Sequence, residues 1–424
     1  MDPAATRFSS SVPRLGRRAR ILFFLLAASV RFAAILWSGP DTSRFGDAAA
    51  YVYAAGEIVR TGHYPVATES LYFRAPGYPY FLAGATLGHP ERIVRGKVAN
   101  AIVGALAVLV LAALSARIFR SRGLAIATGV VAAVHPAFVY AATDIQSEPL
   151  FLLLLLAAGY LLLTGTDRPS TSLTLASGGL LALAALTRPS ALVLAPLLLA
   201  PLADGRYPLR ARAHLSGAAL AGFLFVLAPW TARNAVVFRE PLPVNDAGGA
   251  VFYQGNSDWM ERFYRLESVA DYHAWSRGMF ADMERQKRDM AAAGVRTPGG
   301  RSREFARRAL AQRSARPGSW ARLLARKAWD WLRPYPHPLF WPRSVVVAVG
   351  VSIGLLTALA GVGLARAPRR GVTLFAAAVL GVSMAAHVVI LVVWRFRVPY
   401  WDPILVLYGA YGAGTLAGRW RGSS

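Results

Sequence analysis

The chain has 424 residues, of which 55% are hydrophobic, and it carries a formal net charge of +25 and no cysteine. A protein without cysteine has no disulfide, no thiol nucleophile and no zinc–thiolate site. In a soluble protein this charge would suggest nucleic-acid binding, but most arginines here lie in short loops between apolar segments or in one long hydrophilic segment. We therefore predict a membrane protein with no nucleic-acid partner.

Apolar segments recur along the chain at lengths that cross a hydrocarbon layer of about 30 Å when they are helical. The predicted fold class is an all-α polytopic membrane protein, a bundle of about ten transmembrane helices. The predicted spans lie near residues 21–38, 94–117, 123–141, 149–165, 172–187, 190–202, 213–231, 345–365, 371–393 and 403–418. Several of them are short, so the region 172–202 is also compatible with a re-entrant pair of helices.

Arginines predict the orientation of this bundle. They recur in the short loops on one side, at Arg117, Arg120, Arg122, Arg168, Arg206, Arg210, Arg212, Arg366, Arg369, Arg370, Arg419 and Arg421. Because short cytoplasmic loops are rich in arginine and lysine, this side is predicted to face the cytoplasm. The segments on the opposite side, 39–93 and 232–344 above all, are then predicted to be external.

This orientation divides the chain into five parts. They are a basic cytoplasmic N-terminus (1–20), a first transmembrane module (21–231) that contains the external loop 39–93, an external or periplasmic helical segment (232–344), the C-terminal transmembrane helices (345–418) and a cytoplasmic tail (419–424). Within the external segment, residues around 270–292 and 301–330 have helical spacing but no apolar run long enough to span.

The first candidate site residue, Asp47, follows the first span in the run FGDAAAYVYAAGEIVRTGHYP. The spacing predicts a short amphipathic helix over residues 46–60, on which Asp47 and Tyr51 share a face. The apolar side that this helix would turn to the membrane consists of Val52, Ala55, Ile58 and Val59. A carboxylate at a membrane surface beside cationic and aromatic groups suits chemistry on a lipid-borne substrate, but Asp47 would serve equally well as a helix cap.

A second candidate region follows in the run RAPGYPYF, which begins at Arg74. Its proline and glycine content predicts fixed turns and no regular helix. Arg74 and Tyr78 suit a site that grips an anionic headgroup together with a sugar or a lipid. The alternative is an interfacial belt of aromatic residues.

A second carboxylate, Glu148, lies at the start of the fourth span on the same side. It is either a solvated residue of a helix cap or a partner of Asp47 in the site. In the second case, Asp47 and Glu148 together would help to hold a divalent cation, which prefers oxygen ligands.

Four arginines stand at the outer ends of spans, against the general inward bias of positive charge; they are Arg188, Arg233, Arg395 and Arg397. A charge in this position is expected to have a partner, and a phosphate group is a suitable one. Snorkelling to lipid headgroups is the alternative. Lys327, in the long hydrophilic segment, is a further candidate for binding the same phosphate.

Taken in order, these motifs resemble those of a known family. They are D-x-x-x-Y, R-x-P-G-Y-P, S-E-P, L-T-R-P-S, P-W-x-x-R-N, a G-G…G-N stretch and R-F-R-x-P. The order is similar to that of the GT-C membrane glycosyltransferases, and more narrowly to bacterial relatives of the protein O-mannosyltransferases and of the lipid A aminoarabinose transferases. The resemblance covers roughly residues 20–260 and 320–415.

The resemblance implies an inverting transfer of a sugar from a polyprenyl-phosphate donor to a lipid, glycan or protein acceptor, on the external face of the bacterial cytoplasmic (inner) membrane. It also implies that Asp47 is the general base. Two positions depart from the family pattern. Some members have an acidic residue before the proline where this chain has Arg74-Ala75, and the frequent G-N-N-P is Gly255-Asn256-Ser257-Asp258 here.

The sequence therefore predicts a glycosyltransferase in which Asp47 accepts the acceptor proton. The substrate-binding residues would be Tyr51, Arg74, Tyr78, Glu148, Arg188, Arg233, Lys327, Arg395 and Arg397. An alternative function is transport or flipping of a lipid-linked sugar, which needs no base and is expected to show paired halves or broken helices at matching positions. A membrane-anchored scaffold is a third hypothesis, and it leaves Asp47 and the outer arginines without a role.

Overall fold

The computed structural model describes residues 13, 15–40, 46–65, 73–368 and 370–418. In this part of the chain every regular element is a helix, with no strand. The predicted cytoplasmic tail, most of the predicted N-terminal part, and Arg369 lie outside the described residues.

The α-helices, in chain order, are α1 (Arg17–Ser38), α2 (Gly46–Thr61), α3 (Gly77–Ala85), α4 (Ile93–Phe119), α5 (Arg122–Val134), α6 (Pro136–Ala141), α7 (Glu148–Asp167), α8 (Thr171–Thr187), α9 (Leu209–Phe238), α10 (Ala247–Asn256), α11 (Asp258–Phe263), α12 (Val269–Ala292), α13 (Pro298–Ser314), α14 (Pro317–Leu332), α15 (Arg343–Ala365), α16 (Arg370–Val389) and α17 (Trp401–Leu416). Short 3-10 helices cover Pro338–Phe340 and Trp394–Arg397, and a longer one covers Pro189–Ala203.

Six of the described helices are long and apolar enough to cross a membrane, namely α1, α4, α7, α9, α15 and α16. Three shorter apolar helices accompany them: α5, α8 and Pro189–Ala203. Only 11% of the most apolar window of α15, and of α16, is buried against protein, so most of their apolar surface is left for lipid. The all-α polytopic fold class predicted from the sequence is confirmed.

The bundle is held together by close approach of helix backbones as well as by large side chains. A Cβ atom added to Gly178 of α8 would lie 1.8 Å from the carbonyl oxygen of Ala219, and one added to Gly222 of α9 would lie 2.0 Å from that of Leu175. Only glycine permits this contact between α8 and α9. Small residues at helix contacts are the usual means of packing in a membrane, where apolar side chains gain little by leaving lipid.

Prolines account for most differences between the predicted and observed spans. The predicted span 123–141 is divided into α5 and α6 at Pro136, which lacks an N–H group to continue the helix. The span predicted at 190–202 is a 3-10 helix that contains Pro196 and Pro201. By contrast, α9 passes Pro229 and continues to Phe238, seven residues beyond its predicted end.

The prediction of no regular helix after Arg74 is wrong. Helix α3 covers Gly77–Ala85, and Pro76 and Pro79 stand at its start, where backbone N–H groups have no partner within the helix. Gly77 allows α3 to contact the end of α8, since a Cβ there would lie 2.9 Å from the carbonyl oxygen of Leu186. The helix thereby ties the Arg74 segment to the carboxyl end of α8.

The amphipathic helix predicted over residues 46–60 is confirmed as α2, but its apolar side does not face the membrane. Ala55 is fully buried in a cluster with Tyr51, Tyr78 and Ile145. Of the predicted membrane-facing residues, Val59 is the one with a largely exposed side chain. The α2 helix is therefore part of the protein interior at this end of the bundle.

The hydrophilic residues between α9 and α15, hereafter the intervening segment, form helices α10 to α14. Its core consists of Ala250, Tyr253, Met279, Met283, Met290, Phe305 and Ala309. The helical spacing predicted for 270–292 and 301–330 is borne out by α12, α13 and α14. The segment lies at the same end of the bundle as α2 and α3, because Asn245 and Asp246 contact Phe73.

We predict that the α2 end of the bundle is external. The native chain has no cysteine, so a single introduced cysteine gives a signal without background. Cysteine at Leu87 or Ala293, which are exposed near α3 and α12, is expected to react with a membrane-impermeant thiol reagent in intact cells. Cysteine at Gly205, in the turn after the 3-10 helix Pro189–Ala203, or at Leu209, at the start of α9, is expected to react only after lysis. The reverse labelling pattern would contradict the orientation.

Candidate active site

Five charged side chains from distant parts of the chain meet at the α2 end of the bundle. We call them the charged cluster; they are Asp47, Arg74, Glu148, Arg188 and Arg395. They come from α2, the turn before α3, the first turn of α7, the residue after α8, and the 3-10 helix Trp394–Arg397. All five were candidate site residues in the sequence.

Asp47 lies between two arginines. Its Oδ1 accepts a hydrogen bond from Nη2 of Arg74 at 2.7 Å, and its Oδ2 accepts one from Nη2 of Arg395. Burial raises the pKa of Asp47, but the guanidinium groups of Arg395 and Arg74 outweigh that effect and lower the pKa to about 2. The carboxylate is therefore ionised at neutral pH and has charged partners on both oxygens.

Glu148 is the second carboxylate of the charged cluster. Its side chain is only 1% exposed, so the alternative that Glu148 is a solvated cap residue is wrong. Its Oε1 lies 2.9 Å from Nη1 of Arg188 and 3.5 Å from Nε of Arg395. Arg395 thus contacts both carboxylates, and burial of these ions is offset by the pairs they form. Three guanidinium groups face two carboxylates, which leaves the five side chains with a net charge of +1.

Tyr51 and Tyr78 lie against the charged cluster at different depths. The Tyr51 hydroxyl donates to Oγ of Ser147 at 3.3 Å, and Ser147 also accepts from Arg188 at 3.1 Å. The ring of Tyr78 packs edge-on against that of Tyr51, with 4.7 Å between centroids. Tyr78 is fully buried, and its hydroxyl accepts from Nδ2 of Asn100. Tyr51 therefore borders the charged cluster directly, whereas Tyr78 packs behind Tyr51 in the protein interior.

The backbone beside Arg74 is held by three residues that sequence reasoning missed. Asp246 Oδ1 accepts from the N–H of Phe73 at 3.0 Å, and Asn245 Nδ2 donates to the carbonyl oxygen of Phe73 at 3.0 Å. The hydroxyl of Tyr64 donates to the carbonyl oxygen of Arg74 at 2.7 Å. Asp246 stands just before the G-G motif, and this position was the one sequence signal that pointed to it. Its partner, Phe73, is 173 positions away in the sequence.

Arg397 does not join the charged cluster. It is fully buried, and its Nη2 lies 2.9 Å from Oδ1 of Asp402, which is also fully buried. Its Nη1 donates to the carbonyl oxygen of Arg333 at 2.8 Å. These contacts attach the intervening segment to the start of α17, and they leave the phosphate role that was predicted for Arg397 without geometric support.

Lys327 also lies outside the charged cluster. Its Nζ lies 3.1 to 3.3 Å from four oxygens, those of the carbonyl groups of Gly255, Val389 and Ile390 and of the Asn256 side chain. Burial lowers its pKa to about 7. The amino group fastens α14 and α10 to the carboxyl end of α16, so its geometry is that of a structural residue.

Arg233 lines an apolar cavity of about 760 Å³ on the Arg74 side of the charged cluster. The cavity walls are His63, Tyr64, Pro76, Gly77, Tyr80, Leu183, Leu186, Val226, Pro229, Trp230, Arg233 and Val237. The Arg233 guanidinium lies 4.9 Å from the ring centroid of Trp230 and donates to the carbonyl oxygen of Tyr64 at 3.2 Å. Tyr64 is shared between the cavity and the contact that holds Arg74, and it joins the two.

The arrangement does not resemble a metal centre. Among the described residues, no group of three or more histidine, aspartate or glutamate side chains converges as ligands would. Asp47 and Glu148, the two residues considered for a divalent cation, are instead joined through Arg395. A cation at this position would have to displace guanidinium groups.

The comparisons with known proteins agree with the fold. Residues 74–232 match the family model described as dolichyl-phosphate-mannose-protein mannosyltransferase. No curated protein gives a significant sequence match. The archaeal oligosaccharyltransferase AglB from Archaeoglobus fulgidus, solved with an inhibitory peptide and a dolichol-phosphate, superposes with a TM-score of 0.56 and 16% identity over 95% of this chain and 50% of that one.

Two further structures are similar. A second structure of the Archaeoglobus fulgidus oligosaccharyltransferase, tethered to an acceptor peptide, gives a TM-score of 0.54 with 11% identity over the same shares of the two chains. ArnT from Cupriavidus metallidurans, bound to undecaprenyl phosphate, gives a TM-score of 0.42 with 16% identity over 94% of this chain and 78% of that one. The chain spans about half the length of the oligosaccharyltransferases.

The chain therefore has the fold of the GT-C membrane glycosyltransferases, and its residues 74–232 match a family model of that group. The family resemblance drawn from the order of the motifs is confirmed. The matched segment contains Arg74, Glu148 and Arg188, three of the five residues of the charged cluster.

Breaking the buried pairs of Glu148 is expected to destabilise the protein. In a Glu148→Gln variant, Arg188 loses its carboxylate partner and Arg395 loses one of two, at a cost of about 3–5 kcal/mol for an uncompensated buried charge. The measurement is the free energy of unfolding in detergent, followed by tryptophan fluorescence. The matched control is Glu57→Gln, which removes an exposed pair with Arg60 and is expected to change little. Equal stability of the two variants would contradict the assignment of Glu148 as a buried partner.

Proposed function

We propose that the protein is an inverting glycosyltransferase that moves one sugar from a polyprenyl-phosphate donor to an acceptor hydroxyl at the external face of the membrane. The observation that carries this proposal is the charged cluster at the end of a GT-C bundle. A carboxylate lies between arginines there, and an apolar cavity opens beside it. This combination suits a donor with a long apolar chain, an anionic leaving group and a reacting sugar.

The apolar cavity supports a lipid-linked donor. Its walls are mostly hydrocarbon and aromatic groups from α3, α8 and α9, and Arg233 supplies one cation. A prenyl chain in this cavity would place its phosphate towards Arg74, because Tyr64 borders the cavity and also contacts Arg74. Arg395 meets Arg74 at the carboxylate of Asp47. The description of the matching family model names a dolichyl-phosphate sugar, and the AglB structure contains dolichol-phosphate, which agree with this class of donor.

The chemistry follows from these positions. The acceptor oxygen attacks the anomeric carbon as the bond from that carbon to the phosphate oxygen breaks, and the phosphate leaves with the electron pair. The acceptor proton passes to Asp47, and the net charge of +1 on the charged cluster favours the departing phosphate. Fixed guanidinium groups in a partly buried site need no reorganisation during the reaction, so they stabilise the transition state well.

Donor binding would also adjust the basicity of Asp47. With both arginines on its carboxylate, the pKa of about 2 makes Asp47 a weak base. A donor phosphate competes for Arg74 and Arg395, because arginine binds phosphate and carboxylate by the same paired hydrogen bonds. Loss of either contact raises the pKa of Asp47. Proton acceptance would then be favoured only when the donor is in place.

Asp47→Asn is the variant that tests this function. Asparagine keeps the size of the side chain but does not accept the proton, so turnover of a polyprenyl-phosphate sugar is expected to fall by about 10²–10⁴. Binding of undecaprenyl phosphate is expected to persist or strengthen, because Arg74 and Arg395 lose a competing carboxylate. Both quantities are measured in one detergent preparation, by release of labelled sugar from the lipid and by ligand-induced thermal shift.

The control for this experiment is Glu91→Gln, which removes an exposed carboxylate outside the charged cluster and is expected to leave turnover unchanged. Near-normal turnover in Asp47→Asn would refute the role of Asp47 as base. Movement of intact donor lipid by the wild-type protein, without conversion, would favour the transporter alternative.

A further inference from the structure

Five aromatic rings of the intervening segment form a continuous group, which we call the aromatic wall. Its members are Phe263, Tyr272, Trp275, His337 and Phe340. Neighbouring ring centroids are 4.8 to 5.7 Å apart, the usual range for contacting aromatic side chains. The rings come from α11, the start of α12 and the turn that contains the 3-10 helix Pro338–Phe340.

The aromatic wall is not an ordinary core. None of its five rings is fully buried, and Phe340 is 40% exposed. Trp275 packs against the core of the intervening segment, around Met279, Met283 and Phe305, but the other four rings are not part of that core. Partly exposed rings in mutual contact provide flat apolar faces to a ligand at the protein surface.

The aromatic wall adjoins the charged cluster on the side of Arg395. Trp341, next to Phe340, packs against Tyr140 at 5.0 Å between centroids, close to the turn that leads to Glu148. Trp394, next to Arg395, donates to the carbonyl oxygen of Arg333 at 3.3 Å. Arg333 is four residues before His337 in the chain. The charges of the cluster also act on the wall: burial raises the pKa of Tyr272, Arg395 lowers it and Asp47 raises it.

Two polar groups of the aromatic wall are available to a ligand. Within the described residues, neither the Tyr272 hydroxyl nor Nε2 of His337 has a hydrogen-bond partner. Burial and the charge of Arg333 lower the pKa of His337, so its ring is neutral at pH 7. Because Nδ1 of His337 accepts from the N–H of Leu339, the ring proton resides on Nε2 and can be donated.

These features match the chemistry of a sugar ring. A pyranose has an apolar face of C–H groups that stacks on aromatic rings, and hydroxyl groups around its edge that pair with donors and acceptors. The wall provides both kinds of contact in one place, with aromatic faces beside the hydroxyl of Tyr272 and Nε2 of His337. A lipid chain would gain nothing from these two polar groups.

The position of the aromatic wall distinguishes the acceptor from the donor. The apolar cavity adjoins Arg74 through Tyr64, whereas the wall adjoins the segment of Arg395 through the contact of Trp394 with Arg333. The wall is built from hydrophilic helices of the intervening segment and the cavity from helices of the bundle. A ligand at the wall and a lipid in the cavity would therefore contact different residues.

We propose that the aromatic wall is the acceptor subsite and binds a carbohydrate ring of the acceptor. This inference rests on the proposed function for the identity of the second substrate. It assigns a role to Tyr272 and His337, which no motif of the sequence singled out.

The test is saturation-transfer NMR on the full chain in a detergent without a sugar headgroup. The probes are methyl α-D-mannopyranoside, methyl β-D-glucopyranoside and diacetylchitobiose. At least one is expected to bind the wild-type protein, and Tyr272→Ala is expected to weaken its affinity about three- to tenfold through loss of an aromatic face. Tyr272→Phe is expected to lose less affinity for the saccharide, because the aromatic ring remains. The control is Tyr53→Ala, which removes an exposed ring on α2 and is expected to have no effect.

A second arm of the experiment repeats the measurement with undecaprenyl phosphate bound. The saccharide signal is expected to persist, because the aromatic wall and the apolar cavity share no residue. If Tyr272→Ala does not fold, Phe340→Ala replaces it with the same expected loss. Equal saccharide binding by wild type and both variants, no binding by wild type, or displacement by undecaprenyl phosphate would overturn the acceptor subsite. Failure of wild type to bind undecaprenyl phosphate, with saccharide binding intact, would instead overturn the proposed donor.

Discussion

The ion pairs of Arg395 with Asp47 and Glu148 are the interaction on which this end of the molecule depends. Arg395 lies 348 positions from Asp47 in the sequence, and its contacts bring α2, α7 and the 3-10 helix before α17 to one point. Buried charges are costly unless each is paired, so each of these elements restricts where the others can lie. The position of the site is therefore set by charge neutralisation as much as by helix packing.

The same constraint explains why the intervening segment is attached so firmly. Asp246 and Asn245 hold the backbone before Arg74, Lys327 holds the end of α16, and Arg397 pairs with Asp402 while it contacts the carbonyl groups at the end of α14. The contacts of Asp246, Asn245 and Arg397 join the intervening segment to elements that carry a residue of the charged cluster. The guanidinium groups are thus fixed before any substrate arrives, as electrostatic catalysis requires.

Sequence reasoning predicted the apolar segments that form α1, α4, α7, α9, α15 and α16, and it named all five residues of the charged cluster as candidates, because length, hydropathy and charge at span ends are local properties. It failed where the decisive partner is distant or is a backbone group. Lys327 was expected at a phosphate but binds carbonyl groups of α10 and α16, and Arg397 pairs with Asp402, both inside the protein. The aromatic wall was missed because its rings are adjacent only after α11, α12 and the Pro338–Phe340 turn have packed together.

A structure of the full chain with undecaprenyl phosphate tests the central claim most directly. If the charged cluster is the site of transfer, the phosphate oxygens will lie within hydrogen-bond distance, about 3 Å, of Arg74 or Arg395, with the prenyl chain in the cavity lined by Arg233. At least one of the two contacts that now hold Asp47 will be lengthened. A phosphate bound by Arg233 alone, with Arg74 and Arg395 both still on Asp47, would contradict the account.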